Sequence, residues 1–396
     1  MLRLKYVSWS DNTGYAVAAK SYIRALSRAG VSLTWAPMVA SPSGYVVEES
    51  RQAALPEYAD VWNRQIDYDT VLIHTVPEYY PEWIDRERRS GRRVFGYTVW
   101  ELERLPEHWP KILNQLDGVL VPCHWNQQVF RASGVNVPIH VVPHLPQLED
   151  STMATDADRE ALSARIRKGT IAPDLESRFV FYTIGFWSHR KAPYLALEAY
   201  WEAFKASDPV LMVVKTSDKD ITRWTRSWQN GFRLRHPSPV TSARQLARKY
   251  SQPAAWTIIA DETLADGEMQ ALHDMGDCYV SLARAEGWGL GAFEAARLGK
   301  PVVMTGYGGQ CDFLEPESAR LVDFEMIPVH EPAWAASYKP DDKWAEPSVS
   351  QAAAHLREIY ADQAAARARA RPLADRIAQR FNSADVVRAM MTALQS

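Results

Sequence analysis

The sequence of 396 residues holds only three cysteines, Cys123, Cys278 and Cys311, which lie far apart and form no CxxC pair. An odd number of widely spaced cysteines argues against a disulfide framework and a zinc site, and favours a reducing compartment. No apolar run approaches the ~18 residues that a membrane-spanning helix needs. The N-terminal stretch also lacks the apolar core of a signal peptide. We therefore expect a cytoplasmic protein, with a position at the inner face of the membrane as the less favoured alternative.

The sequence has no excess of basic residues. It carries 45 Lys and Arg against 48 Asp and Glu, a formal net charge of −3. Proteins dedicated to nucleic acid usually show a basic excess, so we expect no nucleic-acid partner. Two Arg-rich runs, Arg86–Arg93 and Arg367–Arg371, are expected on solvated helix faces, and a weak peripheral contact with an anionic membrane is the minority interpretation. Oligomeric state is not predicted.

Several catalytic signatures are missing. There is no GxxxxGK[ST] loop, no GxSxG elbow and no HExxH helix, which disfavours P-loop, α/β-hydrolase and zinc-protease chemistry. DxD spacing occurs three times, but only the last pair closely follows a predicted strand, and two lysines flank it, so we expect a solvated turn there. We therefore predict neither a metal nor another cofactor. The DxD pairs are Asp67/Asp69, Asp156/Asp158 and Asp218/Asp220.

What the sequence does contain is an alternation of short apolar strands and helices in both halves. This pattern predicts two doubly wound α/β domains with parallel sheets. The polar, acidic stretch that interrupts the alternation marks a connection over 149–178, between domains at 1–148 and 179–375. Two such domains face to face leave a cleft at the carboxyl ends of their strands, where open α/β sheets bind ligands.

The strongest chemical signal is AEGWGLGAFEAARLGKP, from Ala285 to Pro301. A strand runs through a glycine-rich turn into a helix, so backbone amides and the helix dipole form an anion site suited to phosphate. Glu286 and Glu294 bracket the turn, and a carboxylate is a natural partner for vicinal sugar hydroxyls. The pattern thus suits a nucleotide-sugar. Two alternatives stay open, a purely structural turn and, less favoured, a dinucleotide fingerprint read from Gly287.

Other strand ends supply further candidates. Arg190 and Lys191 follow the predicted strand Phe179–Ile184, where fixed cations would stabilise a diphosphate. Gly14 opens the first helix and could approach phosphate or acceptor. His74, Trp100 and Glu101 end other strands of the first half, although a lone histidine is more often hydrogen-bonded structure.

These residues carry a family likeness. Glu286, Gly287, Gly289 and Glu294 match the EX7E signature of retaining glycosyltransferases with the GT-B architecture, and the segment resembles glycosyltransferase family 4, the group 1 transferases. The likeness extends over most of the chain, through GYTVWELERLPEHW, DGVLVPCHWNQQVFRASGV, IGFWSHRKAP and TGYGGQCDFL. It implies a GT-B fold of two Rossmann-like domains and a terminal segment, 376–396, returning to the N-terminal, acceptor-binding domain.

The resemblance also implies roles. Glu294 would hold the ribose, Glu286 the donor sugar, and Arg190 and Lys191 the diphosphate. The remaining donor-side candidates are Gly14, Gly287, Trp288, Gly289 and Leu290, and the acceptor-side candidates are Tyr15, His74, Trp100 and Glu101. In two places the sequence departs from the family: Phe186 stands where many relatives have an arginine, and Trp100 aligns with a frequent active-site histidine.

The expected activity is transfer of a sugar, with retention, from a UDP- or GDP-linked donor to a hydroxyl acceptor. The acceptor would be a glycan, a lipid-linked glycan or another small hydroxyl compound in polysaccharide or glycoconjugate synthesis. The alternatives are a nucleotide-sugar epimerase on the same architecture and a non-catalytic binding scaffold.

Overall fold

The structure is a computed structural model that describes residues 2–146, 154–169, 177–227, 233–261 and 264–396. The chain forms two compact units. The first comprises Met1–Gln147 together with Gln379–Ser396, and the second comprises Leu148–Ala378. The first unit is therefore assembled from both ends of the chain.

The first unit is a seven-stranded sheet in the order β3-β2-β1-β4-β5-β6-β7. All neighbours pair in parallel except β2 and β3, which form an antiparallel hairpin at one edge. Its strands are β1 (Arg3–Trp9), β2 (Ser32–Ser41), β3 (Gly44–Val47), β4 (Thr70–His74), β5 (Arg93–Tyr97), β6 (Gly118–Val121) and β7 (Ile139–Val141). Its helices are α1 (Gly14–Arg28), α2 (Tyr80–Arg89), α3 (Trp109–Leu113), α4 (His124–Ala132) and α12 (Ser383–Gln395).

The core of the first unit lies between the sheet and helices α1 and α12. Leu4 and Leu72 of the sheet pack in one cluster with Ile23 of α1 and with Met390 and Leu394 of α12, all fully or almost fully buried. The spacing of Met390 and Leu394 places both side chains on one helix face. The C-terminal helix is thus part of the first unit's core.

The second unit contains a six-stranded parallel sheet in the order β12-β9-β8-β13-β14-β15, with two small antiparallel hairpins, β10-β11 and β16-β17. Its strands are β8 (Phe179–Ile184), β9 (Val210–Thr216), β10 (Thr225–Ser227), β11 (Arg233–Arg235), β12 (Trp256–Ala260), β13 (Cys278–Ser281), β14 (Val302–Thr305), β15 (Arg320–Val322), β16 (Phe324–Pro328) and β17 (Lys343–Pro347). Its helices are α5 (Asp156–Gly169), α6 (Pro193–Ala203), α7 (Pro239–Ala247), α8 (Asp266–Met275), α9 (Leu290–Arg297), α10 (Val349–Ala361) and α11 (Gln363–Arg380).

Two doubly wound parallel sheets were predicted, and the structure confirms both. The strands form because runs such as β8 and β9 are almost wholly apolar and buried on both faces, as parallel strands covered by helices must be. Within the expected connection, α5 packs on α8 and β12 of the second unit; residues 149–153 and 170–176 lie outside the described part of the chain. No helix in the described ranges has both the length and the apolar character for crossing a membrane.

Candidate functional site

The candidate site of the second unit lies where its strand order reverses. β8 has β9 on one side and β13 on the other, with Phe181 beside Cys278 and Tyr182 beside Tyr279. Ligands of open α/β sheets bind outside the carboxyl ends of strands at such a switch point. The loop after β8, residues 185–192, carries Arg190 and Lys191 and is called the cation loop. The loop after β13 carries the glycine turn, residues 285–289. The sheet topology therefore brings these two distant segments together.

Lys191 and Glu286 form the centre of this site. The lysine Nζ lies 2.5 Å from Oε1 and 2.6 Å from Oε2 of Glu286. Arg190 stands beside them, with Nη1 3.0 Å from the Ala285 carbonyl oxygen and 3.9 Å from Glu286 Oε2. The side chains of Arg190, Lys191 and Glu286 are 14%, 26% and 10% exposed. Two partly buried cations therefore lie beside the Glu286 carboxylate at the carboxyl edge of the sheet.

The glycine turn holds Glu286 by its backbone. Gly309 N donates to the Glu286 carbonyl at 2.8 Å. Gly308 has φ of +102°, and a Cβ there would lie 2.5 Å from that same carbonyl oxygen, so no other residue fits without a shift. Gly289, with φ of +89°, is the N-cap of α9 and makes no side-chain hydrogen bond to the helix. The turn thus presents a helix N-terminus next to the cations.

Glu294 lies in the second turn of α9 and is 2% exposed. Arg297 Nε donates to its Oε2 at 3.0 Å. Burial of a carboxylate is tolerated when it is paired and hydrogen-bonded, so this partner explains how the charge is kept inside the unit. Trp288, predicted on the donor side, lies in the core instead: it is 3% exposed and its ring packs on Phe293 and Phe313 at 5.2 and 4.9 Å.

Arg284 is a site residue that the sequence analysis missed. Its side chain pairs with both oxygens of Glu346 on β17, and its Nη1 donates to the His189 carbonyl at 2.5 Å and to the Tyr194 hydroxyl at 2.7 Å. Its backbone N donates to the Arg190 carbonyl at 2.7 Å. Arg284 therefore fastens the cation loop to the glycine turn. The sequence did contain a signal for this role, because Arg284 is a charged residue within the apolar run that ends at Glu286.

Glu331 is the second missed residue. It comes from the segment 329–342 that links β16 to β17, is 3% exposed, and accepts a hydrogen bond from Arg190 N at 2.9 Å. Burial raises the pKa of Glu331 above the ordinary carboxyl range, although Arg190 opposes the shift. No sequence pattern marks this residue, because its partner is 141 positions away.

The expectation of a solvated turn at Asp218/Asp220 is wrong for Asp220. That side chain is 1% exposed and accepts hydrogen bonds from Ser242 Oγ and Thr222, with Arg223 Nε at 3.3 Å. Asp220 therefore organises the chain after β9. Among the residues that the structure describes, no cluster of three or more His, Cys, Asp or Glu side chains could hold a metal ion.

The first unit has its own switch point, between β1 and β4. Gly14 is the exposed first residue of α1, and the preceding Thr13 caps the helix by accepting from Ala16 N. The hydroxyl of the half-buried Tyr15 lies 3.0 Å from both Thr98 Oγ1 and the Val99 carbonyl oxygen. The turn and the end of β5 thus meet at the carboxyl edge of this sheet.

His74 lies in the core of the first unit rather than at its surface. It is 1% exposed, and its Nδ1 lies 2.7 Å from the hydroxyl of the buried Tyr6. Tyr97 and His144 pack against its ring. Burial lowers the pKa of His74 well below the ordinary histidine range, with a contribution from His144. This environment favours the structural interpretation of His74, a neutral hydrogen-bonded core residue.

Trp100 is also a core residue. It is 3% exposed, its indole Nε1 donates to the Arg104 carbonyl at 2.7 Å, and its backbone N donates to Asn126 Oδ1 at 2.8 Å. Its ring stands edge-on to Trp109. Glu101, the next residue, is half-buried. Among the four acceptor-side candidates, Tyr15 and Glu101 are therefore the two whose side chains are partly exposed to solvent.

Comparisons with known proteins bear on both units. Residues 244–390 match the family described as "Family 4 Glycosyltransferase in conflict systems". No curated protein matches the sequence. The fold is similar to that of Anabaena Alr3699/HepE in complex with UDP-glucose, at 14% identity over 100% of both chains and a TM-score of 0.66.

Two further solved structures are similar over nearly the whole chain. Sucrose-phosphate synthase from Thermosynechococcus elongatus aligns at 14% identity over 99% of this chain and 98% of its own, with a TM-score of 0.64. The E. coli trehalose-6-phosphate structure bound with UDP-2-fluoro glucose aligns at 13% identity over 100% and 99%, with a TM-score of 0.60. These likenesses show the GT-B fold that the sequence predicts.

Proposed function

We propose that the chain is a glycosyltransferase that transfers a sugar from a UDP- or GDP-linked donor to a hydroxyl acceptor with retention of configuration. The GT-B fold and the family 4 likeness of residues 244–390 support this proposal. One observation carries the proposal. Arg190, Lys191 and Glu286 converge at the carboxyl edge of the second sheet, and Glu294 lies in the second turn of the helix that follows, α9. Two cations for a diphosphate and two carboxylates for two sugars match the parts of a nucleotide-sugar.

In this proposal Glu294 accepts hydrogen bonds from the ribose hydroxyls. Arg190 and Lys191 hold the diphosphate, with the amides of Gly287, Gly289 and Leu290 contributing at the N-terminus of α9. Glu286 accepts from the hydroxyls of the transferred sugar. The solved structures of HepE with UDP-glucose and of the E. coli protein with UDP-2-fluoro glucose support a donor of this chemical class.

The proposed reaction needs no carboxylate nucleophile. The acceptor hydroxyl attacks the anomeric carbon on the face from which the diphosphate leaves, and a leaving phosphate oxygen takes the hydroxyl proton. The chain positions the two reactants and stabilises charge that builds on the diphosphate. We propose that Arg190 and Lys191 supply this stabilisation without a divalent ion and that no other cofactor takes part.

On the acceptor side the proposal retains Gly14, Tyr15 and Glu101, which lie at the carboxyl edge of the first sheet. The acceptor is a glycan, a lipid-linked glycan or another small hydroxyl compound. A cytoplasmic location is part of the proposal, and it is supported by three cysteines that are all free thiols.

The experiment is a panel of UDP- and GDP-sugars incubated with the full chain, with nucleotide release followed in the absence and presence of candidate acceptors. We expect acceptor-dependent release and a product whose anomeric configuration, read by NMR, equals that of the donor. Lys191→Met serves as the inactive control. An inverted product would refute retention. Epimerised donor without transfer would establish the epimerase alternative, and the absence of turnover despite tight binding would establish a scaffold.

A further inference from the structure

The cation loop ends in a backbone conformation that few residues adopt. Ala192, its last residue, has φ of +40° and ψ of +49°, which lies in the left-handed region. Among the residues that the structure describes, Asn63 is the only other residue besides glycine with a positive φ. Asparagine visits this region because its short polar side chain can hydrogen-bond locally, whereas an alanine Cβ crowds the following carbonyl oxygen. Ala192 is therefore the one of the two that needs an explanation.

The residue that follows makes this conformation less favourable still. Pro193 is the first residue of α6, and a proline restricts the residue before it mainly to an extended backbone. Glycine is the ordinary residue for a left-handed position, because it has no Cβ. Strained residues of this kind persist only where the surrounding structure holds them, and they cluster at functional sites.

The surrounding structure does hold Ala192. Its amide donates to the Ser188 carbonyl at 3.0 Å, and its own carbonyl accepts from Leu195 N at 2.9 Å. Its methyl group is completely buried and belongs to the same apolar cluster as Trp187 and Leu195. Hydrogen bonds on both sides of the residue and packing of its Cβ therefore fix the left-handed conformation.

The direction of Lys191 depends on this conformation. Lys191 N donates to the hydroxyl of the buried Ser188 at 3.1 Å, and its ammonium group reaches both carboxylate oxygens of Glu286. On the other side of Ala192, helix α6 packs into the core of the second unit. Because α6 is fixed there, rotation of Ala192 into the extended region would swing Lys191 away from Glu286.

We propose that Ala192 is a positioning residue for the proposed reaction, because its strained backbone directs the Lys191 ammonium group toward Glu286 and the donor diphosphate. The inference rests on the proposed function, which assigns the diphosphate to Lys191. Glycine would adopt the same angles without strain, but it would also adopt many others. The buried methyl group restricts the residue to the small left-handed region and so restricts the positions of the lysine.

The first substitution is Ala192→Gly. It relieves strain but removes a buried methyl group and adds freedom to the unfolded chain, so the melting temperature should stay within about 4 °C of the wild type. In contrast, kcat for the nucleotide-sugar should fall about tenfold to hundredfold, because the ammonium group is no longer held in place. KM should change less than about threefold, since Arg190 and the amides of the glycine turn still hold the diphosphate.

Two further variants separate positioning from stability. Ala192→Ser keeps a Cβ, and therefore the narrow backbone range, but it buries a hydroxyl group. It should melt below Ala192→Gly and yet retain a severalfold higher kcat. Asn63→Gly is the matched control, because it removes the other left-handed side chain, which lies in the first unit. Its kcat should equal that of the wild type.

A measurement without donor separates this inference from the proposed function. The ligand-free proteins are treated with acetic anhydride, and acetylation of Lys191 is followed by mass spectrometry of its peptide. An ammonium group held by a carboxylate reacts slowly, so Lys191 should react about threefold to tenfold faster in Ala192→Gly than in the wild type and Asn63→Gly. If no nucleotide-sugar is turned over by any of the proteins, the proposed function fails while the acetylation rates still report the position of Lys191. The inference is refuted if Ala192→Gly is acetylated at the wild-type rate, if it keeps the wild-type kcat, or if Ala192→Ser or Asn63→Gly loses as much kcat.

Discussion

Lys191 and Glu286 form a hydrogen-bonded ion pair, in which the ammonium nitrogen lies 2.5 and 2.6 Å from the two carboxylate oxygens. A diphosphate that binds Lys191 must therefore compete with a carboxylate that is already in place. The same carboxylate repels the incoming phosphate. Glu286 thus lowers the affinity for the bare nucleotide diphosphate. A donor recovers this loss of affinity because its sugar hydroxyls donate hydrogen bonds to Glu286.

We therefore predict that Glu286→Gln binds bare UDP or GDP more tightly than the wild type, by about two- to tenfold, because one competing charge is gone. Turnover of the nucleotide-sugar should fall about 10²–10³-fold, the cost of losing one oriented group at the reacting centre. Calorimetric titration and nucleotide release measure the two effects, with the exposed Glu325→Gln as control. Weaker binding of bare nucleotide by Glu286→Gln would contradict this account.

Glu294→Gln should behave in the opposite way. If Glu294 accepts from the ribose, losing its charge removes about 1.5–3 kcal/mol of charge-assisted hydrogen bonding, so nucleotide binding weakens roughly tenfold to a hundredfold. The same titration checks this. Because Arg297 loses its partner too, melting curves of Glu294→Gln and Arg297→Gln should be compared. Equal loss of nucleotide affinity in both variants would mean that Glu294 acts through stability alone.

Arg284 should act as a positioning residue. Arg284→Lys keeps the charge but cannot reach Glu346, His189 and Tyr194 together, so we expect a loss of about 2–4 kcal/mol of stability, as for a disrupted buried pair. The KM for the donor should rise because the cation loop is no longer fastened. Urea unfolding and donor titration of turnover measure these effects. A stability loss with an unchanged KM would restrict Arg284 to a structural role.

The buried histidines make a prediction about pH. Burial lowers the pKa of His144 to about 3 from its ordinary 6.5. As the pH falls below 6.5 the unfolded chain takes up a proton that the folded chain refuses, so stability is present above pH 6.5 and is lost progressively towards pH 3. At pH 5 the protonation of this histidine in the unfolded chain should have lowered the free energy of unfolding by about 2 kcal/mol. Urea unfolding of His144→Gln should show a shallower decline in stability between pH 7 and pH 5 than that of the wild type, and an equal decline would contradict this account.

Chelation tests the proposal that cations replace a metal. With Arg190 and Lys191 on the diphosphate, sugar transfer should persist in millimolar EDTA. Arg190→Gln should then lose activity that added Mg²⁺ fails to restore. A complete loss in EDTA that Mg²⁺ alone reverses would overturn the metal-free mechanism.

The sequence allowed the sheets to be predicted well, because their strands are continuous apolar runs bounded by turn residues. The strand Phe179–Ile184 was predicted with the bounds that β8 has. Strand β3 was missed because its four residues, one of them Gly44, carry too short a pattern. The antiparallel hairpin β16-β17 was missed as well.

The candidate site was predicted less completely. Local motifs placed Glu286, Lys191 and Arg190 at strand ends, and the strand order brings them together. The partners that fasten them could not be read from the sequence. Glu331 reaches Arg190 across 141 positions and Glu346 reaches Arg284 across 62, and such pairing depends on tertiary packing rather than on periodicity. His74 and Trp100 show the converse, since a strand-end position does not tell whether a side chain faces the core.

Because Met390 and Leu394 complete a core that contains Leu4, the order of biosynthesis and the order of folding differ in this protein. The ribosome releases the whole second unit before the last helix of the first unit has been translated. Nascent chains commonly fold from the N-terminus onward. Here the sheet and α1 of the first unit keep an incomplete apolar face until α12 has been translated. Chaperone engagement should therefore concentrate on residues 2–146, and ribosome-stalled chains that end before residue 383 should be the form most sensitive to proteases.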